Sequence, residues 1–296
     1  MIMIARTVSV LLTVGAVALA GVDVEGSNTM KLHYDKAAGT WDEALPIGNG
    51  AFGAMVFGGM QEERLQFNHD TLFTGEPHDY AHKGAVKVLP ELRRLLFEGK
   101  QNEAHQLGNR EFMSTSPRVG NRQEAYQPFG DLRIAFPGHE AATGYYRDLD
   151  LNAAVTSVRY ELDGVSYHRE MFASYPDQAI VVRLTADQPG ALTFQAQLTS
   201  PHAGSSTEVE GGEILVLGGQ VEKGRTCFEA RLEVRIEGGA VEPDGDALKV
   251  TGANSATLVL VGATSFVNYQ DISGDPAQVC EKQLKAIGTR PYEGLC

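Results

Sequence analysis

FEARLEVRI (residues 228–236) decides the fold class, because apolar and charged side chains alternate along it without a break. Its apolar members are Phe228, Ala230, Leu232, Val234 and Ile236, and its charged members are Glu229, Arg231, Glu233 and Arg235. A period of two, with one apolar and one charged side, is typical of a β-strand with one solvated face. The segment therefore predicts a long strand with one face toward the core and the other toward solvent.

Neighbouring segments extend this strand pattern over most of the chain. VRYEL (158–162) and VSY (165–167) flank Asp163-Gly164, and Asp-Gly between alternating segments predicts a β-hairpin, because both turn residues need positive φ. Further strands are predicted at Ala179–Leu184, Leu192–Leu198 and Ala256–Val261. The last is almost continuously apolar, which is typical of a strand covered on both faces. A dozen or more strands indicate a mainly β fold, a large antiparallel β-sandwich of two packed sheets.

Helical patterns are confined to two places. Pro90 is predicted at the first position of a helix that ends at Gly99, and a second helix is predicted from Gln101 to Met113. Together they form a short helical insertion between early strands. A C-terminal helix is predicted from Pro276 to Ile287.

The N-terminal residues have the layout of a secretory signal peptide. Arg6 is followed by an apolar run, Val8 to Ala20, that closes on Ala18-Leu19-Ala20. The run is too short to span about 30 Å of hydrocarbon as a helix, which disfavours a retained membrane anchor. We expect a signal peptide at 1–20, a mature tail at 21–30, and a secreted or periplasmic protein. A misassigned start is the alternative.

Composition restricts the partners. The formal net charge is −13 and 43% of the residues are hydrophobic, so a large core is available in an acidic chain. Acidic proteins repel nucleic acid and anionic membranes, and no basic patch with interleaved aromatics is present. We therefore expect neither nucleic acid nor membrane as a partner.

The three cysteines are Cys227, Cys280 and Cys296. Their odd number and irregular spacing argue against a disulfide framework and against a zinc site. A single Cys227–Cys280 bridge stays open at this point.

Two polar segments are candidates for ligand contact. Gly48-Asn49-Gly50 lies in a glycine-rich stretch that could serve a ligand or a tight turn. NHDTLFTG (68–75) combines polar side chains with an aromatic, as a sugar site requires, although a polar turn explains it equally well. The substrate-binding candidates are Asn49, Asn68, Asp70 and Thr71.

The sequence assigns no catalytic residue, metal or cofactor. His69 and His78 do not have the spacing of a known metal site. Glycoside hydrolysis needs two carboxyl groups across a cleft, and Asp70 and Asp131 are candidates only through their polar neighbours. No Gly-x-Ser-x-Gly motif is present.

Several runs occur together in the order of a known family. They are LPIGNGAFGAMVFGG (45–59), NHDTLFTG (68–75), LPELRRLLFEGK (89–100), YQPFGDL (126–132) and HREMFASYPDQAIVVRL (168–184). From Leu32 to Leu295 the chain resembles the N-terminal domain of glycoside hydrolase family 95, which is typified by α-L-fucosidases. His69 and Phe73 stand where the family often has Glu and Trp.

The resemblance implies an N-terminal β-sandwich, here 31–270, and the start of a helical linker at 271–296. An (α/α)6 catalytic barrel would follow in the same chain, with an inverting mechanism and a glutamic acid as general acid. Those groups belong to the barrel, so no catalytic residue is carried over.

We therefore expect the N-terminal module of an exported α-L-fucosidase-like glycoside hydrolase, which acts on fucosylated glycans only as the complete enzyme. Two alternatives stay open, a stand-alone carbohydrate-binding protein and a truncated, non-functional product. The single tryptophan, Trp41, disfavours the carbohydrate-binding alternative, because such proteins present several exposed aromatics.

Overall fold

The computed structural model describes residues 30–114 and 124–295, which form sixteen strands, three α-helices and three short 3₁₀ turns. The predicted signal peptide and Cys296 lie outside these residues. The strands are β1 (Lys31–Tyr34), β2 (Leu45–Gly48), β3 (Phe52–Val56), β4 (Glu62–His69), β5 (Gly130–Ala135), β6 (Thr143–Asp150), β7 (Val155–Leu162), β8 (Val165–Ser174), β9 (Ala179–Ala186), β10 (Leu192–Thr199), β11 (Ser206–Glu210), β12 (Ile214–Gln220), β13 (Cys227–Glu237), β14 (Ala240–Asp244), β15 (Ala247–Ala253) and β16 (Ser255–Thr264). The helices are α1 (Ala85–Phe97), α2 (Gln101–Glu111) and α3 (Pro276–Ile287).

The strands form two antiparallel sheets. One has nine strands in the order β1-β6-β7-β8-β9-β16-β13-β12-β11, and the other has seven in the order β14-β15-β10-β5-β4-β3-β2. A continuous core of buried side chains lies between them, in which the Phe129 ring packs against both Phe67 and Phe228. The predicted mainly β sandwich of two packed sheets is confirmed.

The predicted hairpin turn is also confirmed. Asp163 and Gly164 have φ values of 50° and 77°, and they join β7 to β8 with Leu162 opposite Val165. Because Asp and Gly tolerate positive φ, this turn sets the register of two strands from local chemistry alone.

Strand β16 is buried along its whole length, as its apolar sequence predicted. It lies in the middle of the nine-stranded sheet, with Leu258 and Leu260 in the inter-sheet core. Val259 and Val261 point the other way and pack with Cys280 and other residues into a second apolar cluster beneath α3. The predicted C-terminal helix is therefore confirmed, and it covers the outer face of the sheet. Its assignment to a linker stays a prediction.

The helical insertion between β4 and β5 is confirmed, but its start was predicted wrongly. Helix α1 begins at Ala85, so Pro90 lies inside it rather than at its first position. Because Pro90 has no N–H, the carbonyl one turn earlier loses its helical hydrogen bond. The helix nevertheless continues across Pro90, with the preceding Val88 and Leu89 half-buried. The predicted end is correct, since Gly99 has φ 72° directly after α1.

A buried ion pair connects the two sheets. Glu63 on β4 accepts from Arg169 on β8 at 3.2 Å, and both side chains are at most 2% exposed. Arg169 also donates to the carbonyls of Gly59 and Met60 and to the Tyr160 hydroxyl, at 2.5, 2.6 and 2.6 Å. Burial raises the pKa of Glu63, while the charge of Arg169 opposes the rise. The alternating sequence of these strands gave no sign of this pair.

The open disulfide alternative is wrong, because Cys227 and Cys280 are both free thiols. Cys280 is buried beneath α3, where its Sγ contacts the Glu229 carbonyl at 3.3 Å, and Cys227 is half-buried at the start of β13. Burial raises the pKa of Cys280 to about 12, so this thiol is unreactive in the folded chain.

Candidate functional site

The four predicted contact residues lie at one end of the sandwich. Asn49 occupies the turn between β2 and β3, and Asn68 lies near the end of β4, directly before His69 and Asp70. Pairing of β3 with β4 places Gly53 opposite Asn68, and the Asp70 N–H donates to the Ala51 carbonyl at 2.9 Å. Pairing of these strands therefore brings both polar segments together.

Asn49 is built into the fold. Its side chain is buried, and its Oδ1 accepts from the N–H groups of Ala51 and Phe52 at 3.2 and 2.8 Å. Its Nδ2 donates to the Ser174 carbonyl at 3.1 Å, across to the other sheet. These bonds close the β2–β3 turn and attach it to β8. Of the two roles that the sequence left open for this segment, a tight turn or a ligand contact, they match the tight turn.

Asn68 faces a cavity of about 650 Å³ on the outer face of β2, β3 and β4, which we call the sheet-face groove. Trp41, 56% exposed, and Met55 supply apolar walls, while Gln66 and Asn68 project from alternate positions of β4. The Asn68 Oδ1 accepts from the adjacent His69 N–H at 2.9 Å. An exposed indole beside two amide side chains is a suitable surface for a polar ligand with an apolar face.

His69, Asp70 and Thr71 form a hydrogen-bonded group at the end of β4. The Thr71 N–H donates to the His69 Nδ1 at 3.3 Å, and the Thr71 hydroxyl oxygen lies 2.9 Å from the same nitrogen. Burial lowers the pKa of His69, and the nearby Asp70 carboxylate, at 3.0 Å, opposes that shift. The Asp70 side chain is 56% exposed and lines the sheet-face groove beside His69.

Thr71 joins this group to the nine-stranded sheet. Its Oγ1 lies 2.6 Å from the Thr264 Oγ1 at the end of β16. If the Thr71 hydroxyl donates to His69, the Thr264 hydroxyl donates to Thr71, which gives every member a partner. The group therefore fixes the loop after β4 against the last residue of β16.

Asp131, the other carboxyl candidate, lies in β5 opposite Gln66. Its carboxylate pairs with Arg64 at 3.0 Å and lies 3.6 Å from Arg133, and only 15% of the side chain is exposed. Two cations hold this carboxylate on the sheet surface, an arrangement typical of a structural ion pair.

His78 contacts neighbours within its own loop. Its ring packs on Tyr80 with centroids 3.6 Å apart, and its Nδ1 lies 2.8 Å from the Glu76 carbonyl. Within residues 30–114 and 124–295, no group of three His, Cys, Asp or Glu side chains is arranged to hold a metal ion.

A second cavity, of about 560 Å³, lies on the other side of Asp70, and we call it the end cavity. It is lined by the loop after β4, by Ser114 after α2, by Glu124 before β5, by Thr226 before β13 and by the segment after β16. Its aromatic residues are Phe73, Tyr80, Phe266 and Tyr269, and its carboxylates are Asp70, Glu76 and Glu124. Sequence reasoning identified only the Asp70–Gly75 side, because the other walls are distant in sequence. Phe266 and Tyr269 in a short polar segment after an apolar strand were the available signal.

No α-helix in the described part of the chain combines the length and apolar character needed to cross a membrane.

The fold and the two cavities define a large two-sheet β-sandwich module with polar, aromatic-lined surfaces at one end. Residues 32–269 match the family described as glycosyl hydrolase family 65, N-terminal domain, and the chain belongs to that family. The predicted resemblance to the N-terminal domain of such hydrolases is thereby confirmed.

Curated relatives carry α-fucosidase names. Alpha-L-fucosidase 2 of Arabidopsis thaliana is 33% identical over 91% of this chain and 35% of its own length. A probable alpha-fucosidase A of Aspergillus niger is 28% identical over 84% of this chain and 31% of its own, and one of Aspergillus oryzae is 24% identical over 84% and 36%. The chain thus spans about a third of each relative, and these relatives contain further domains.

Among solved structures, a putative kojibiose phosphorylase from human microbiome is 9% identical, with a TM-score of 0.48, over 90% of this chain and 36% of its own.

Proposed function

We propose that this chain is the N-terminal β-sandwich module of an exported α-L-fucosidase-like glycoside hydrolase, which works with a separate catalytic domain on terminal fucosyl linkages. The observation that carries the proposal is the similarity of this chain to α-fucosidases, of whose length it covers only 31–36%. The catalytic partner is an (α/α)6 barrel, normally in the same chain. Export rests on the signal peptide predicted at residues 1–20 and is part of the proposal.

The helical insertion supports a partner domain. Phe97 at the end of α1 is 90% exposed, and Val86 and Leu96 are 74% and 55% exposed. In both helices only Leu95 and Ala104 are buried. Large apolar side chains exposed along one helix are candidates for an interaction surface. A catalytic domain packed on the α1–α2 hairpin would cover them.

The sheet-face groove supports a role at the mouth of a cleft. Asn68 and Asp70 project from a rigid strand end, and the Thr71–Thr264 bond fixes the loop that follows. Ligand contacts on rigid elements keep their geometry better than contacts on free loops. We propose that Asn68, Asp70 and Thr71 lie at the cleft mouth, with Asn49 shaping the adjacent turn.

A chimera tests the proposal. Residues 21–296 replace the matching N-terminal part of the Arabidopsis relative, and fucose release from 2′-fucosyllactose is measured for the chimera, the relative and residues 21–296 alone. Release by the chimera but not by the isolated chain supports the module. Turnover by the isolated chain well above a blank would contradict it and direct attention to Asp70 and Asp131.

Variants of the chimera test the two surfaces separately. Asn68→Ala or Asp70→Ala should raise KM or lower kcat, whereas Gln195→Ala on the same sheet should change neither. Unchanged kinetics with a lower melting temperature would make Asn68 and Asp70 turn residues only. Phe97→Ser should weaken assembly of the module with a separately expressed catalytic part, with Val279→Ser on α3 as the matched control.

A second candidate, a stand-alone carbohydrate-binding protein, is favoured by one observation. The chain has a single tryptophan, yet its fold gathers exposed aromatics at one end of the sandwich. Binding of sugar by the isolated chain, without any catalytic domain, is the measurement that separates this candidate from the first.

A further inference from the structure

The two ends of the sandwich differ in what their strand connections expose. At the end away from the candidate site, Phe57 lies between β3 and β4 and Phe136 between β5 and β6, and both are buried. Of the residues that the structure describes in the connections at that end, only Trp41 is a large apolar residue with an exposed side chain, and it lines the sheet-face groove. This end is therefore a polar surface.

The end that carries the candidate site exposes large apolar side chains from several connections. On the nine-stranded sheet, Leu151 lies between β6 and β7, Tyr175 between β8 and β9, and Val267 shortly after β16. They are 46%, 73% and 54% exposed, and we call these three residues the turn row. The strand order β6-β7-β8-β9-β16 and a spacing of about 4.8 Å between neighbours place the three connections along roughly 17 Å of one sheet end.

The connection that carries Tyr175 is fixed by side-chain hydrogen bonds. The Gln178 side chain donates to the Tyr175 carbonyl at 2.6 Å, and the Ser174 hydroxyl donates to the Asp177 carboxylate at 3.0 Å. The Asn49 side chain donates to the Ser174 carbonyl at 3.1 Å, which ties this connection to the β2–β3 turn beside the sheet-face groove. Tyr175 is thus exposed on a braced turn, so little ordering is needed when a partner covers it.

The other two connections are held by backbone hydrogen bonds. The Leu151 N–H donates to the Met30 carbonyl at 2.8 Å, and the Val267 N–H donates to the Asp271 carbonyl at 3.0 Å. Every member of the turn row therefore projects from a fixed backbone. Large apolar side chains exposed together on a fixed surface are candidates for an interaction site.

The charges beside the turn row are paired within the chain. Asp150 lies 3.5 Å from the Lys31 ammonium, and Asp177 is bonded to the Arg290 guanidinium. Each of these carboxylates lies within two residues of a row member. The centre of a protein–protein interface is depleted in charged residues and its rim is polar. The turn row has this composition, an apolar line flanked by paired charges.

From these observations we infer that the turn row is a docking surface for the catalytic domain, which sits end-on against the sandwich. The relatives carry the matching part in chains of which it is only 31–36%, so they contain the further polypeptide that such a surface needs. Asn49 connects the row to the turn beside the sheet-face groove, so a domain seated on the row reaches the cleft mouth. That the occupant is the catalytic domain rests on the proposed function, whereas the end-on placement rests on the row.

Hydroxyl-radical footprinting compares the chimera with residues 21–296 alone. The oxidation rate of Tyr175 should be at least about threefold lower in the chimera, because a covering domain excludes water from the ring. Met60, half-buried between β3 and β4 at the opposite end, is the control and should oxidise at the same rate in both proteins. An equal rate for Tyr175 in the two proteins would overturn the end-on placement.

Sedimentation of residues 21–296 alone tests a second copy of the chain as the occupant. The expected result is a monomer in which Tyr175 is readily oxidised. A dimer in which Tyr175 is protected would assign the turn row to self-association and would overturn docking of the catalytic domain there.

Two variants locate the contact. Tyr175→Ser and Val267→Ser should each weaken assembly with the separately expressed catalytic part about tenfold, as expected for a central interface side chain. Val279→Ser is the matched control, since Val279 is 43% exposed on α3 and does not belong to the row. In the isolated chain all three variants should keep the melting temperature of wild type, because exposed side chains contribute little to folding. Equal assembly of the three variants would overturn the placement.

The docking and the proposed function can fail separately. Fucose release by a chimera in which Tyr175 is unprotected would keep the proposed function and exclude the end-on placement. Protection of Tyr175 without fucose release would keep the placement and contradict the proposed function.

Discussion

Replacing Arg169 with methionine should destabilise the chain strongly, and the loss should grow as pH rises. Methionine fills much of the same volume, so the main effect is to leave the Glu63 carboxylate buried between the sheets without its counter-charge. Removing one partner of a buried ion pair costs about 3–5 kcal/mol. The carbonyls of Gly59 and Met60 also lose their side-chain donor.

The pH dependence follows from the pKa of Glu63. Burial already raises it above 4.5, and Arg169 is the largest opposing charge, so Arg169→Met raises it further. A carboxyl whose folded pKa lies above its unfolded value contributes stability below the unfolded value. That contribution is lost as pH rises through the folded value. The variant should therefore lose less relative to wild type at pH 5 than at pH 8.

Urea denaturation followed by circular dichroism at both pH values measures the effect. In thermal denaturation, at about 2–4 °C per kcal/mol, the melting temperature of Arg169→Met should fall by about 6–20 °C. Arg183→Met is the control, because Arg183 pairs with Glu237, whose side chain is 69% exposed, and such pairs contribute at most about 1 kcal/mol. The double variant Glu63→Leu/Arg169→Met should recover much of the loss. A cost below about 1 kcal/mol for Arg169→Met, or an equal cost at pH 5 and pH 8, would refute the reasoning.

Three further outcomes are expected. Asn49→Ala should cost about 1–3 kcal/mol in urea denaturation, because buried backbone groups lose their partners, and a neutral result would return Asn49 to the ligand candidates. Peptide mapping after brief thiol alkylation should label Cys227 in the folded chain and Cys280 only after unfolding, whereas a Cys227–Cys280 disulfide would protect both until reduction. In His69→Gln the melting temperature should fall less steeply below pH 6.5 than in wild type, because the lowered pKa of His69 makes the unfolded chain bind its proton at a higher pH than the folded chain does. An unchanged slope would mean that other groups cause the fall in melting temperature.

The sequence predicted those elements whose causes are local. Asp163-Gly164 needs only its own backbone preference, and β16 shows its double burial as an unbroken apolar run. Helix α3 matches its predicted bounds because Pro276 opens it directly after Asp275, whose carboxylate accepts from the Gln278 N–H at 3.1 Å. In each case the residues that decide the structure lie within a few positions of one another.

Features that depend on distant residues were not predictable. The start of α1 was misplaced because a proline is most favourable in the first turn of a helix, whereas α1 begins five residues before Pro90 and continues across it. Glu63 and Arg169 occupy positions that read as ordinary charged residues in alternating strands, and only the sheet packing buries them together. The sequence predicted only the part of the candidate site that lies in the loop after β4, because those residues are contiguous. Phe266 and Tyr269 were missed because β16 brings them to this loop from a distant part of the sequence.

Asp70 lines both cavities, so its variants compare the two candidate functions, a module of a hydrolase and a stand-alone carbohydrate-binding protein. Asn68 lines the sheet-face groove and Tyr269 the end cavity, so Asn68→Ala should lower hydrolysis by the chimera, whereas Tyr269→Ala should weaken sugar binding only if the isolated chain binds sugar. Asp70→Asn keeps the size of the side chain and removes its charge. An effect of Asp70→Asn on hydrolysis by the chimera, without sugar binding by the isolated chain, would favour the module. An effect on sugar binding by the isolated chain, with hydrolysis by the chimera unchanged, would favour the carbohydrate-binding protein.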